Sequence, residues 1–260
     1  AMAAEEVIIV GEGAQSWAAS AADGLKLRLE AAGYNVTITS DPATLTGNLT
    51  GVAQVWDVRP NVALTTADSS NYLSYLNDAG GLFLLGENSG FATRNNSLSA
   101  FIVEAGGGDV AVGPTTVQSQ YVTDIFNGSG LIVQDAATSF YVPASGVFTS
   151  PGTGTFITTS EANGGGVGTG VAFGAGSLAN APSGRLLSYL DVNTFQAQFY
   201  DDTPALRALI NRMIGFVAGS FQVDPDLPPV GGPSVIDDSQ PSFNLGDSAA
   251  TGGSISFDGG

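Results

Sequence analysis

The stretch best arranged for chemistry is the glycine-flanked turn Gly86-Glu87-Asn88-Ser89-Gly90, which follows an apolar run and precedes a predicted helix. A turn of this shape holds its central side chain exposed at a sharp strand-to-helix bend, where hydrolytic sites carry a nucleophile. The central residue is Asn88, which tolerates the left-handed backbone of such a bend but is not a useful nucleophile. A structural turn is therefore the leading interpretation, and a non-covalent ligand or ion contact through Glu87, Asn88 and Ser89 is the alternative.

Composition removes most familiar hydrolytic mechanisms. The 260 residues include no histidine and no cysteine, so the usual general base, thiolate nucleophiles and disulfides are absent. Covalent catalysis by Ser89 would therefore need an unusual lysine or carboxylate base. A net charge of −17 repels nucleic acid and anionic membrane surfaces. We expect no nucleic-acid partner, and no membrane insertion, since no apolar run approaches the roughly 18 residues of a membrane helix.

Acidic and amide residues late in the chain suggest a metal. Asp191, Asn193, Asp224 and Asp226 offer the hard oxygen ligands that Ca²⁺ accepts, and the negative net charge favours such an ion. Their spacing does not match the twelve-residue EF-hand loop, so solvated acidic loops are the more common explanation. We therefore treat Ca²⁺ as a candidate ligand, and the sequence indicates no other cofactor.

A second glycine-rich turn, Gly11-Glu12-Gly13-Ala14-Gln15-Ser16, follows a predicted strand and opens a helix. This is the position of a dinucleotide-binding loop, and Asp41 stands where an acidic residue would bind ribose hydroxyls. The third glycine of that fingerprint is absent, however, and Glu12 would place a negative charge beside the phosphates. An ordinary strand-to-helix turn is the favoured interpretation.

Strands and helices alternate over about the first 105 residues, which indicates a parallel sheet covered on both faces. Apolar and β-branched runs predict strands at Glu6–Val10, Asn35–Thr39, Val52–Val58 and Gly81–Leu85. Helical spacing predicts a helix between Ser16 and Gly33, a second over Thr66–Ala79, and a third capped by Asn95 or Asn96.

The pattern changes over residues 109–183, where short alternating segments are broken by Gly, Pro and Asn. These segments predict a hairpin-rich insertion whose strands add antiparallel at the edge of the sheet. A strand over Gly184–Leu190 and a helix from Thr203-Pro204 to Gly219 then complete the pattern. The predicted α/β domain therefore spans residues 5–220.

The order of these elements resembles the class I glutamine amidotransferase-like fold, a flavodoxin-like three-layer sandwich with a mostly parallel sheet. In that family a nucleophile turn follows a central strand, and a late strand carries a His-x-Glu pair. The resemblance covers residues 5–219 by topology and puts Asn88 where the family has Cys, Asp191 where it has His, and Asn193 where it has Glu. It implies the α/β fold and argues against glutaminase activity.

The C-terminal part differs in texture. Residues 221–233 are rich in Pro and Gly and predict an extended linker. Residues 234–260 hold brief alternating segments, and Thr251–Gly260 resembles the first rung of the Gly-rich β-repeats of bacterial autotransporter passengers and surface adhesins. Such a strand could complete the open sheet edge of another copy or of a surface-structure protein, whereas a disordered tail is the simpler alternative.

These features favour a non-enzymatic module, secreted or at the cell surface of a bacterium, with a structural or adhesive role and self-assembly through its tail. The low charged fraction of 12% and the single lysine support an extracellular setting. One alternative is a carbohydrate-active or other hydrolase that uses Glu87, Asp191 and Asp57. The other is a soluble domain that binds a small ligand at the Gly11–Ser16 turn.

Overall fold

The computed structural model describes residues 4–40, 49–114, 116–123, 126, 139–162 and 165–220. The predicted linker 221–233 and tail 234–260 lie outside the described residues. The same holds for Asp41 and for the candidate calcium ligands Asp224 and Asp226. Among the described residues, no helix is long and apolar enough to cross a membrane.

The elements of the described residues follow the predicted alternation. The strands are β1 (Glu6–Val10), β2 (Asn35–Thr39), β3 (Val52–Asp57), β4 (Gly81–Leu85), β5 (Val110–Val112), β6 (Thr116–Val122), β7 (Ser139–Ser145), β8 (Phe148–Pro151), β9 (Thr155–Phe156), β10 (Thr158–Thr159), β11 (Gly170–Phe173) and β12 (Arg185–Tyr189). The helices are α1 (Ala19–Ala31), α2 (Thr66–Asn77), α3 (Ala92–Glu104), α4 (Ala197–Tyr200) and α5 (Pro204–Ala218), with 3₁₀ turns at Ser89–Phe91 and Val192–Phe195.

The main sheet has the strand order β2-β1-β3-β4-β12-β11-β9. The first five of these strands are parallel, and they reproduce the 2-1-3-4-5 order of flavodoxin-like folds. Two apolar cores lie on opposite faces of the sheet: α1 and α5 contribute to one, and α2 and α3 to the other. The predicted flavodoxin-like three-layer sandwich is therefore confirmed.

The insertion at 109–183 also has the predicted character. β11 pairs antiparallel with β12, and β9 pairs antiparallel with β11, so these two strands extend the main sheet. The remaining hairpin strands form a sheet of β10, β6 and β7 and a pair of β5 and β8. The backbone N–H of Gly146, between β7 and β8, donates to Leu190 O at 2.8 Å. This contact brings the insertion over the carboxyl end of β12.

Two predicted helix starts are wrong. Ser16 was expected to cap α1, but α1 begins at Ala19 and its N-cap is Ala18. α3 begins at Ala92, three residues before Asn95, and Asn95 lies inside the helix. Asparagine side chains hydrogen-bond nearby backbone groups in several ways, of which helix capping is only one. The side chain of Asn95 hydrogen-bonds the backbone of Glu87, in the turn that precedes α3, and does not cap the helix.

Candidate functional site

The carboxyl ends of the parallel strands meet at one edge of the sheet, where flavodoxin-like proteins bind ligands. Among the described residues, four segments cover this edge: residues 11–18 after β1, 58–65 after β3, 86–91 after β4 and 190–196 after β12. We call these segments the loop surface. It contains two groups of candidate residues: Glu87, Asn88 and Ser89 in the turn after β4, and Asp191 and Asn193 in the turn after β12. About a hundred positions of sequence separate the two groups.

Glu87 joins two loops of this surface. Its side chain is buried, with 3% exposed. Glu87 Oε1 accepts from Asn88 N at 2.8 Å and Asn88 Nδ2 at 3.2 Å, and Oε2 accepts from Val192 N at 2.9 Å. The carboxylate therefore connects the turn after β4 with the turn after β12.

Asp191 is the second buried acid, also 3% exposed. Its Oδ1 accepts from the backbone N–H of Asn193 at 3.2 Å, and Oδ2 accepts from Thr194 Oγ1 at 2.7 Å. Asp191 thus caps the Val192–Phe195 turn. Asn193 contributes its backbone to this cap, and its side chain is half-buried.

The two acids affect each other's protonation. Burial, and then the charge of Glu87, raise the pKa of Asp191 to about 7, although its hydrogen bonds act in the opposite direction. Burial also raises the pKa of Glu87, against the lowering effect of the Val192 and Asn88 amides. A carboxyl pair of this kind holds a proton near neutral pH, which is the property of a general acid or base.

The turn around Asn88 lacks the strain expected of a nucleophile apex. Asn88 has φ −58° and ψ 175°, so its backbone is not left-handed. Its Oδ1 accepts from Gly90 N at 2.9 Å and caps the Ser89–Phe91 turn. Ser89 is exposed. Asn88 therefore does not use the left-handed backbone that an asparagine tolerates, and its side chain caps the following turn.

Asn95, which the sequence predicted as a helix cap, hydrogen-bonds the backbone of this turn. Its Oδ1 accepts from Glu87 N at 3.1 Å, and its Nδ2 donates to Glu87 O at 2.7 Å and Asn88 O at 3.1 Å. Gly86 has to be small, because a Cβ there would lie 2.5 Å from Leu190 Cδ2 and 2.7 Å from Asn95 Oδ1. In the sequence, only the short spacing between this turn and Asn95 could have indicated the contact, and the same spacing also fits a helix cap.

The insertion contacts the backbone beside the two acids. A Cβ on Gly146 would lie 2.5 Å from Glu87 O and 2.9 Å from Leu190 Cβ, so the Gly146 backbone packs directly on the residues that follow β4 and β12. Sequence reasoning missed this contact because it depends on how the insertion folds back.

Asp57, the third acid considered for hydrolysis, belongs to a buried ion-pair cluster. It accepts from Arg59 Nη2 at 2.6 Å, Arg94 Nη2 at 3.0 Å and the hydroxyl of Tyr72 at 2.9 Å. Burial alone would raise the pKa of Asp57, but Arg94 and Arg59 hold it below its ordinary value. Asp57 is thus a structural group that is charged at neutral pH. Neither Arg94 nor Tyr72 was recognised in the sequence.

A pocket lies beside the Gly11–Ser16 turn, and the acidic residue of the turn, Glu12, is hydrogen-bonded to the protein. Glu12 Oε1 accepts from Asn61 N at 2.6 Å, and Oε2 accepts from Asn61 Nδ2 and Ser16 Oγ, each at 2.7 Å. A pocket of about 350 Å³ lies against the same turn, and its apolar floor includes Ala22 and Ile38. Glu12 therefore links the loops after β1 and β3.

No metal site emerges within the described part of the chain, where no group of three or more Asp, Glu, His or Cys side chains could hold an ion. Both oxygens of Asp191 already accept hydrogen bonds from the protein. Asp224 and Asp226 are not described, so calcium binding by those residues stays a prediction.

Fold and site together define a flavodoxin-like α/β protein whose acids at the carboxyl edge are bonded to the protein itself. No family model and no curated protein matches the chain. Solved structures do match. The mmIFT52 N-terminal domain is 12% identical, with a TM-score of 0.60 over 82% of this chain and 96% of that chain.

Two ThuA-like proteins are similar to the chain to a comparable degree. The one from Bacteroides uniformis is 16% identical, with a TM-score of 0.53 over 84% of this chain and 93% of that chain. The one from Parabacteroides merdae is 12% identical, with a TM-score of 0.55 over 87% and 95%. At these identities the likeness establishes the fold alone.

Proposed function

We propose that the chain is a non-enzymatic module, secreted or at the cell surface, with a structural or adhesive role. Its α/β domain keeps an amidotransferase-like arrangement without the catalytic residues, and its C-terminal tail joins it to other copies or to a surface structure. The acidic, lysine-poor composition supports the extracellular setting. The hydrogen bonds that the Glu87 and Asp191 carboxylates accept from the protein support the absence of catalysis.

The observation that carries the proposal is the engagement of the Glu87 and Asp191 carboxylates. Each of their four oxygens accepts a hydrogen bond from the protein, and both side chains are buried. A general acid or base has to come within hydrogen-bond distance of the proton that it transfers. These two carboxylates instead hold the loops after β4 and β12 together.

The residues at the resembled catalytic positions support the same conclusion. Asn88 stands in place of a nucleophile, and its amide donates to Glu87 while its oxygen caps the next turn. A hydrolase that used the acid pair instead would have to break the hydrogen bonds from Val192 N and Thr194 Oγ1 that the two carboxylates accept.

The assembly part of the proposal rests on sequence alternation and on sheet edges. In the tail, Ile255 and Phe257 alternate with Ser254 and Ser256, as in a strand with one apolar face. In the described residues, β2 and β9 are the outer strands of the main sheet. Outer strands present N–H and C=O groups that accept an added strand.

Sedimentation of the full chain tests assembly. The wild type should show concentration-dependent oligomers, and the double variant Ile255→Asp, Phe257→Asp should sediment as a monomer because its apolar face is charged. The matched control is Ser254→Asp, Ser256→Asp, which adds the same charge to the opposite face and should still associate. A wild type that is monomeric at every concentration would remove assembly from the proposal.

A further inference from the structure

An aromatic pair of one exposed ring, Trp17, and one half-buried ring, Phe91, lies on the loop surface. The side chain of Trp17, in the loop after β1, is 51% exposed. Its ring centroid lies 5.9 Å from that of Phe91, in the turn after β4, at an interplanar angle of 53°. The other tryptophan, Trp56, is fully buried and stacks on Phe83. An indole left half in water has a large apolar area available for binding.

The backbone that carries Trp17 is held firmly. Ser16 Oγ donates to Glu12, and Ala18 N donates to Ser16 Oγ at 3.2 Å. On the other side, Ser20 Oγ donates to Trp17 O at 3.4 Å, and Gln196 Nε2 donates to Ser20 Oγ at 2.7 Å. These bonds connect the Trp17 backbone to α1 and to the loop after β12, and a backbone that is held before binding loses less entropy when a ligand arrives.

Phe91 is held by the turn that the acid pair supports. Its N–H donates to Asn88 O at 3.0 Å, and Asn88 N donates to Glu87. Glu87 in turn binds the Val192 amide. The two rings therefore stand on segments that are connected through the protein, so their spacing is fixed before any ligand arrives.

The groups around the rings are neutral hydrogen-bonding side chains. Gln15 is exposed on the loop that carries Trp17, and Asn61 is exposed on the loop after β3. The Asn61 Nδ2 donates to Glu12, which links these two loops. Arg59 and Arg94 are the basic residues of the described segments at this edge, and both are buried and paired with Asp57. No accessible cation is therefore present in these segments to bind a phosphate or a carboxylate.

We propose that Trp17 and Phe91 form a platform for a neutral saccharide. The apolar C–H face of a pyranose ring stacks on the indole, and its hydroxyls exchange hydrogen bonds with the amides of Gln15 and Asn61. The platform rests on the proposed adhesive function and gives it a ligand class. It needs no catalytic group, since the acids beneath it are bonded to the protein.

Other occupants fit this surface less well. A stable protein interface buries about 800 Å² on each partner, whereas this patch consists of two rings among amides. Single-stranded nucleic acid also stacks on aromatic rings, but it requires a positively charged groove. The net charge of −17 opposes its approach. A neutral polyol has neither requirement.

Affinity electrophoresis of the full chain tests the platform. Native gels contain one neutral polysaccharide each, from a panel of mannan, xylan, β-glucan and soluble chitin derivatives. At least one polymer should retard the wild type, and Trp17→Ala should weaken binding about tenfold or more, as expected for the loss of one stacked aromatic ring. Tyr141→Ala, which removes an aromatic side chain that is 60% exposed on β7, is the matched control and should migrate like the wild type.

Fluorescence gives a second readout. Because Trp56 is buried, saccharide binding should shift the emission of Trp17 alone, and the shift should vanish in Trp17→Ala while the Tm is unchanged. No retardation by any neutral polymer, or equal retardation of Trp17→Ala and the wild type, would overturn the platform. Each of these results leaves the non-enzymatic proposal standing. Release of reducing ends from a retarding polymer would instead overturn that proposal.

Discussion

Asp191 and Glu87 show how far residue types and spacing determine a site. Their convergence follows from the fold, because both residues come directly after neighbouring parallel strands, β12 and β4. The hydrogen bonds of the two carboxylates do not follow from the sequence, since Glu87 Oε2 accepts from Val192 N, which lies 105 positions further along the chain. Residue types thus indicated candidate groups, and they did not predict that protein donors occupy the carboxylate oxygens.

The Asp191→Asn variant should change the pH dependence of stability. The pKa of Asp191 is raised from 3.8 to about 7, so the folded protein binds its proton more tightly than the unfolded chain does. The stability from this group is complete below about pH 4 and is lost as the pH rises through about 7. Asparagine carries no charge, so relative to the wild type the variant should gain about 2–4 kcal/mol between pH 4 and pH 8. Urea unfolding across this range measures the difference.

The Asp57→Asn variant should change the pH dependence of stability in the direction opposite to Asp191→Asn. The pKa of Asp57 is lowered by its arginine partners, so its contribution is present above the ordinary aspartate pKa and is lost as the pH falls through the folded value. The variant should be strongly destabilised at neutral pH, and the difference from the wild type should shrink in acid. If Asp191→Asn behaved in the same way as Asp57→Asn, the protonated state assigned to the acid pair would be wrong.

At the scale of elements, the strands were easier to predict than the segments between them. β1, β2 and β4 have the predicted bounds, because short apolar or β-branched runs flanked by Gly or polar residues specify buried strands directly. The start of α3 was misplaced, because the capping preference of Asn95 was overridden by a tertiary contact. The hairpins were predicted as a class, but their closure over the carboxyl edge was not.

Gly24→Ala tests how α1 packs on the loop after β12. In a free helix, alanine in place of glycine stabilises by about 1 kcal/mol. A Cβ on Gly24 would lie only 2.1 Å from Phe195 O, so the turn that follows Asp191 would have to move. We expect a net destabilisation of about 1–3 kcal/mol, measured by urea unfolding.

The control for this substitution is Gly174→Ala, where nothing lies within 4 Å of the added Cβ. That variant should match the wild type or be slightly more stable. A stabilised Gly24→Ala would mean that α1 and the Val192–Phe195 turn do not pack as closely as described, and the position of Asp191 would have to be revised.

For the whole molecule, the chain combines a flavodoxin-like sandwich with a carboxyl edge tied together by its own side chains. Glu12 joins the loops after β1 and β3, and Glu87 joins those after β4 and β12. The alternation of strand and helix patterns was sufficient to predict the sandwich, since these patterns are repeated over many residues. The role of the edge depends on a few long-range contacts, and similar structures at 12–16% identity carry no information on it.

The most direct test of the central claim is a turnover assay of the full chain. Purified protein is incubated with neutral polysaccharides, aryl glycosides, esters and glutamine, and products are followed by mass spectrometry next to Glu87→Gln and Asp191→Asn. The account predicts no product above the level of these two variants. A product formed by the wild type and reduced about a hundredfold or more in either variant would contradict it, since that loss is typical of a missing general acid or base.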